Sequence, residues 1–258
     1  IREKAFRLGA QAYLDQREEM ARLFDEMYEK RQRVAKNAGF PDFQAYAFKS
    51  KHRFDYTPDD CASFHRAVEK TVAPAVERLM AHRRSRLGID TVRPWDTQVE
   101  LEGARPLKPF SDVAGLVEPA RRMFNQLDPE LGAQFGPMAD EGLLDLESRP
   151  GKAPGGYCTK LSWRGMPFIF MNAVGVPDDV STLVHEAGHS FHDFASHRQQ
   201  YVWQRSVTHE AAELASMSME LLGNEFIEEF YSAPDAKRAR RDHLEGIVEI
   251  FPWIATVD

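Results

Sequence analysis

Apolar residues recur at helical spacing from Arg2 to about Lys36. They are Phe6, Tyr13, Met20, Leu23, Phe24, Met27 and Val34, with charges filling the other faces. The pattern predicts one long helix closed by Gly39, with Pro41 as a stop two residues later. A short helix is expected over Phe43 to Lys49. Thr57-Pro58-Asp59-Asp60 reads as an N-cap followed by Pro at the first helical position. The helix it opens should run toward Arg86, kink at Pro74 and stop at Gly88. Residues 88–110 read as loop. Ser111-Asp112 caps a helix to about Leu127, and Asp128-Pro129 starts another that should break at Gly136-Pro137.

The period changes after Ser148. SRPGKAPGGY is dense in Gly and Pro and reads as loop. YCTKLSW and PFIFMN are rich in aromatic and β-branched residues, and Arg164-Gly165 lies between them, so an antiparallel hairpin is predicted. Pro177-Asp178-Asp179 then opens a helix from about Val180 to His197. Further helices are expected over about Val207 to Tyr231 and Pro234 to Ile250.

Composition removes several classes. The 258 residues are 43% hydrophobic and 28% charged, which excludes disordered and fibrous chains. The net charge of -7 argues against nucleic-acid binding by electrostatics, and Arg238-Ala239-Arg240-Arg241 reads as a solvated helix face. No apolar run approaches the ~20 residues of a membrane span. IREKAFRLGAQAY reads as charged helix rather than a signal peptide. Cys61 and Cys158 are far apart with no CxxC, which argues against a disulfide framework and for a reducing, cytoplasmic setting.

The chemistry concentrates between His185 and His209, where five of the nine histidines lie. His185-Glu186-Ala187-Gly188-His189 places two histidines four apart on a helix, about 40° apart around its axis, so both imidazoles project to one side. Neutral imidazole nitrogens suit zinc, and Glu186 is placed to reach a zinc-bound water without ligating the metal. That predicts a metal-activated hydroxide with an adjacent general base. A catalytic zinc keeps three protein ligands, so one more donor is needed. Position 195 is Ala, which excludes HExxHxxGxxH. Glu210, Glu213 and Glu220 are the carboxylate candidates. His209, Glu213 and Glu220 share a helical face, while Glu210 points away, so spacing leaves Glu213 only modestly ahead.

The stretch resembles the oligoendopeptidase F and thimet oligopeptidase family of zinc peptidases. The resemblance rests on His-Glu-x-Gly-His-x-x-His from His185 to His192, and on Glu213-Leu214-Ala215-Ser216 at the position of that family's zinc-binding glutamate. RQRVAKNAGFPDFQAYAF, RPWD, PGKAPGGYC and PFIFMN are also similar to family segments. The resemblance implies a mainly α, zincin-like peptidase domain with a small antiparallel β-hairpin or sheet next to the metal-binding helix. It implies one zinc per chain on His185, His189 and Glu213, with Glu186 as the catalytic base. His192 fits the motif too, either supporting the ligands from behind or packing as an ordinary histidine. The family's transition-state tyrosines and histidine follow the segment similar to IFPWIATVD, so a fragment incomplete at both ends is expected. Within it, residues 1–147 are expected to form a helical part of the cleft wall and 148–258 the catalytic zinc-binding region.

The expected activity is endopeptidase cleavage of short oligopeptides, with no nucleic-acid or membrane partner. PFIFMN is expected to pair its backbone with an extended substrate. Two other classes fit the same residues: a non-catalytic zinc-binding segment, and a metal-dependent hydrolase of non-peptide amides. A structural zinc site has no use for a free carboxylate at Glu186, which separates the first from an enzyme.

Overall fold

The computed structural model describes residues 1–97, 99–101 and 105–257. These form two compact units, residues 106–244 and residues 1–105 with 245–258.

In the second of these, the long N-terminal pattern makes two helices, α1 (Arg2–Leu14) and α2 (Arg17–Asn37). The expected single helix breaks because Gln16 leaves helical geometry at φ -105, ψ 4, with neither Gly nor Pro to announce it. Helix α3 (Phe43–Ser50) starts where Asp42 accepts from the backbone N–H of Ala45. Helix α4 (Pro58–Thr71) opens on a reciprocal cap between Thr57 and Asp60. The expected kink falls at Val72, two residues before Pro74, where φ -89 and ψ -41 stay helical and the i→i-4 bonds of Val72 and Val76 are kept. Helix α5 (Ala73–Leu87) follows and ends on left-handed Gly88 at φ 63. Pro94–Asp96 forms a single 3₁₀ turn within the expected loop.

The other unit carries the core. Helix α6 (Val113–Leu127) is capped by Asp112, and α7 (Pro129–Asp140) by Asp128. Pro137 does not end α7 as expected. The preceding Gly136 has no Cβ to clash with the proline ring, and the helix continues to Asp140. Leu116, Met123, Phe124, Phe135 and Met138 are fully buried, with the Phe124 ring 4.9 Å from Phe135 and 5.0 Å from Phe191.

The sheet has three strands in the order β1-β3-β2. Strands β2 (Tyr157–Leu161) and β3 (Met166–Ala173) form the expected antiparallel hairpin, with Cys158 opposite Ile169. The addition is β1 (Leu144–Glu147), which pairs parallel to β3. Alternate residues of β3 are buried, Ile169 and Met171 among them, as a sheet packed on one face requires. Phe170 on the other face stacks on Tyr157 and lies under the Lys152 ammonium.

Helix α8 (Pro177–His197) follows β3 directly. Buried Asp179 fixes that junction: its Oδ2 accepts from the backbone N–H groups of Val174, Gly175 and Val176 at 2.8–2.9 Å. Helix α9 (His209–Gly223) is capped by Thr208 and continues as 3₁₀ turns over Asn224–Glu229, short of the expected helical run to Tyr231. Helix α10 covers Ala233–Val257 and passes through Pro252. Among the described residues no helix is long and apolar enough to cross a membrane.

Candidate metal centre

Two adjacent helices build the site. The buried side of α8 includes Val180, Leu183, Val184, Ala187 and Phe191, and that packing fixes the rotation of the helix. His185 and His189 then lie on its flank, half-buried, with their rings 4.9 Å apart.

Gly188 lets α9 come close. A Cβ there would lie 2.7 Å from Ser216 Cα and 2.9 Å from Ala215 O, closer than side chains tolerate. The glycine of the His185–His189 motif is therefore a packing requirement. At this approach Glu213 reaches across, with Oε2 3.3 Å from His185 Nε2 and 3.8 Å from His189 Nε2. Buried Ser216 donates its hydroxyl to the same Oε2 at 3.0 Å and steadies it.

His185, His189 and Glu213 each offer one donor atom, all within 4.8 Å of one another. Two imidazoles and one carboxylate, all partly open to solvent, could hold a metal ion and leave it an open coordination position. Glu210 is not in this group, and neither is His192, which is half-buried one turn behind His189. Exposed His209 begins α9 and is also outside it.

Glu186 stands apart from the ligands. It is buried on α8 near Cys158 of β2, whose backbone N–H draws the carboxyl pKa down. Its Oε2 is buried without a hydrogen-bond partner. Such an atom is costly unless a donor is delivered to it, and a water held beside the three donors would be one. Burial pushes the Glu186 carboxyl above the usual carboxylate range, against the pull of the neighbouring His185. The same environment pushes the Cys158 thiol up to about 12, which keeps it protonated and a poor nucleophile.

The two histidines differ. Glu220 Oε1 is 2.7 Å from His185 Nδ1, and that hydrogen bond raises the His185 pKa. Burial lowers that of His189. Glu220 is named above only as a possible ligand, Ser216 only as the last residue of the Glu213 motif, and the Cys158 amide not at all. Helical spacing contained a signal for Glu220, seven residues after Glu213, but none for the other two.

A model of peptidase family M3 matches residues 1–250. Oligopeptidase PepF of Bacillus subtilis (strain 168) is 28% identical over 158 residues, 60% of this chain and 22% of that protein. The chromosomal oligoendopeptidase F of Lactococcus lactis subsp. cremoris is 30% identical over 131 residues, 50% of this chain and 21% of that protein. A solved structure of PZ peptidase A with an inhibitor superposes with TM-score 0.94 at 29% identity, over 99% of this chain and 45% of that one. The matched region thus spans about a fifth of these two sequence relatives and under half of the solved chain.

Proposed function

The chain belongs to peptidase family M3, and from that membership we propose that it is the zinc-binding, hydrolytic segment of an oligopeptidase acting on short peptides. In this reading His185, His189 and Glu213 hold one zinc ion, and residues 148–258 carry the catalytic machinery. The observation that carries it is the three-donor cluster beside the unpartnered, buried Oε2 of Glu186.

When bound, the metal supplies Lewis-acid polarisation of a peptide carbonyl and acidifies water. The rest belongs to the protein. Glu186 takes a proton from water at Oε2 and returns it to the leaving amine. A raised carboxyl pKa helps in both directions, because it makes the carboxylate a better base and the protonated form easier to retain until the amine needs it.

β3, which contains PFIFMN, is the central strand, paired with β2 over Met166–Phe170 and with β1 from Ile169 to Ala173, so only its ends keep an unpaired side. β1 and β2 are the edge strands of this sheet, and Cys158 of β2 lies near the Glu186 carboxylate. An extended peptide added along β2 would pass the candidate base.

Zinc content and turnover of a quenched peptide test the assignment together. Glu186→Gln should keep about one zinc per chain and lower hydrolysis by about 10²–10⁴-fold. His185→Ala and His189→Ala should lose the metal. Glu213→Ala should weaken zinc binding, and Glu210→Ala should not. A folded Glu186→Gln chain that has lost its zinc, or that hydrolyses at the wild-type rate, would overturn the role of Glu186.

A further inference from the structure

Glu220 lies outside the donor cluster, yet it is built against it. Glu213 and Glu220 are one heptad apart on α9, two turns and about 10 Å along the axis. The His185 ring lies between them. Its Nδ1 is 2.7 Å from Glu220 Oε1, and its Nε2 is 3.3 Å from Glu213 Oε2. The other oxygen of Glu220 is 3.8 Å from Nε2 of His243 on α10. One carboxylate from α9 thus stands between imidazoles of α8 and α10. It is also sheltered, with its side chain 23% exposed against 50% for Glu213.

A neutral imidazole carries its proton on one nitrogen and its lone pair on the other. The nitrogen facing a carboxylate keeps the proton, because a lone pair there would meet the acceptor's own lone pairs. In His185 that nitrogen is Nδ1. The lone pair is then on Nε2, the atom that faces Glu213 and the other donors. The hydrogen bond also fixes the ring plane. Glu220 meets the ring on its Nδ1 side and is not among the three clustered donors.

We propose that Glu220 is a positioning residue for the metal centre: it holds His185 as the Nδ1–H tautomer with Nε2 turned into the donor cluster, and so tightens zinc binding without touching zinc. The inference rests on the zinc reading of His185, His189 and Glu213. A carboxylate that orients a ligating histidine is worth about 10–100-fold in metal affinity where it has been removed.

The test is zinc affinity measured by competition with a chromophoric chelator, on the wild-type chain, Glu220→Ala and Glu220→Gln. Glu220→Ala should bind zinc about 10–100-fold more weakly. Glu220→Gln keeps the shape and an acceptor oxygen but loses the charge, and its loss should be smaller. In both, the visible absorption of the cobalt-substituted protein should change, while the thermal midpoint of the metal-free chain stays within a degree or two. A merely structural glutamate would give the reverse, a lowered metal-free midpoint with unchanged cobalt absorption, and that result overturns the proposal. If Glu220→Ala does not fold, Glu220→Gln decides alone: weaker zinc with altered cobalt absorption supports the role, and wild-type values for both refute it. Wild-type affinity in both variants would remove this inference and leave the zinc site standing. A wild-type chain that binds no zinc would remove both.

Discussion

The two units use the same sequence pattern to different ends. In residues 106–244 the apolar positions of the helices meet one another, and Leu116, Met123, Phe124, Phe135 and Leu183 are sealed from solvent. In residues 1–105 the helices form with equal clarity, but α1 buries no residue and α2 buries only Ala35. Tyr13 is 80% exposed and Phe24 62%. Ion pairs of Arg7 with Glu3 and of Arg22 with Glu19 and Glu26 support the helices locally, and surface contacts tie them into their unit: Arg2 to Asp96, Phe6 and the Arg7 guanidinium on Trp95, and Gln32 accepting from the Phe43 N–H. A 3.6-residue period therefore specifies a helix without specifying what covers it. The candidate metal centre lies wholly in the unit where the pattern also makes a core. Its side chains are accordingly placed by packing, and a centre placed by packing is sensitive to changes far from the metal.

The largest expected contrast is between two phenylalanines. Phe124→Ala empties a fully buried position touching Phe135 and Phe191, and Phe191 is on the helix that carries both histidines. It should cost about 3–5 kcal/mol. Phe24→Ala, on an exposed face, should stay within about 0.5 kcal/mol. Urea denaturation of the two variants reads the difference directly. Equal losses would mean that the α2 face is buried in solution, and the contrast between the units would fail.

A finer contrast uses two helical glycines. Alanine is about 1 kcal/mol better than glycine in a helix interior. At Gly9 in α1 a Cβ meets nothing within 4 Å, so Gly9→Ala should stabilise the chain by about 0.4–1 kcal/mol. At Gly188 the same gain is opposed by backbone atoms of α9 at 2.7 and 2.9 Å, which cannot swing away as a side-chain tip can. Overpacking of that kind costs about 1–3 kcal/mol, so the net sign should reverse. Zinc affinity should fall as well, because α9 carries Glu213. Thermal midpoints of opposite sign for the two variants are the expected result. A stabilised Gly188→Ala that binds zinc normally would show that α8 and α9 do not need their close approach.

These contrasts follow the line between what local sequence could and could not reveal. The bounds of α8 were legible because Pro177 and Asp179 mark its start, and the β2–β3 hairpin because its residues are aromatic and β-branched. Strand β1 was not legible: Leu-Asp-Leu-Glu is four residues long and becomes a strand only by pairing with β3 more than twenty positions away. The break at Gln16 and the continuation through Pro137 are likewise set by context, against the usual punctuation. At the site, helical spacing put Glu213 and Glu220 on one face of α9. Which nitrogen of His185 each would meet depends on how closely α8 approaches, a distance that periodicity does not contain.

The smallest effect concerns charge. Arg22 and Glu19 in α2 are both more than half exposed, and such a pair is worth at most a few tenths of a kcal/mol. The loop before β2 is held differently. Asp145 on β1 accepts from Arg149 and from Lys152, whose side chain is 1% exposed and also donates to the Glu147 carbonyl. The Arg149 hydrogen bonds, with Lys152 adding to them, hold the Asp145 carboxyl down at about 2. An unfolded aspartate titrates near 3.9, so between these values the unfolded chain binds the extra proton. Stability from this group is therefore complete above about pH 4 and is lost as the pH falls through about 2. Other carboxylates titrate in the same range, so the informative quantity is the difference between the wild type and Asp145→Asn. At pH 6 the wild type should have the higher thermal midpoint. The gap should shrink steadily from pH 4 to pH 2, because protonation turns the wild-type aspartate into a neutral group like its replacement. Arg22→Ala should show little gap at any pH. A gap for Asp145→Asn that stays constant from pH 6 to pH 2 would mean that the carboxylate charge does not stabilise this loop, and that the buried Lys152 is held by the backbone carbonyls alone.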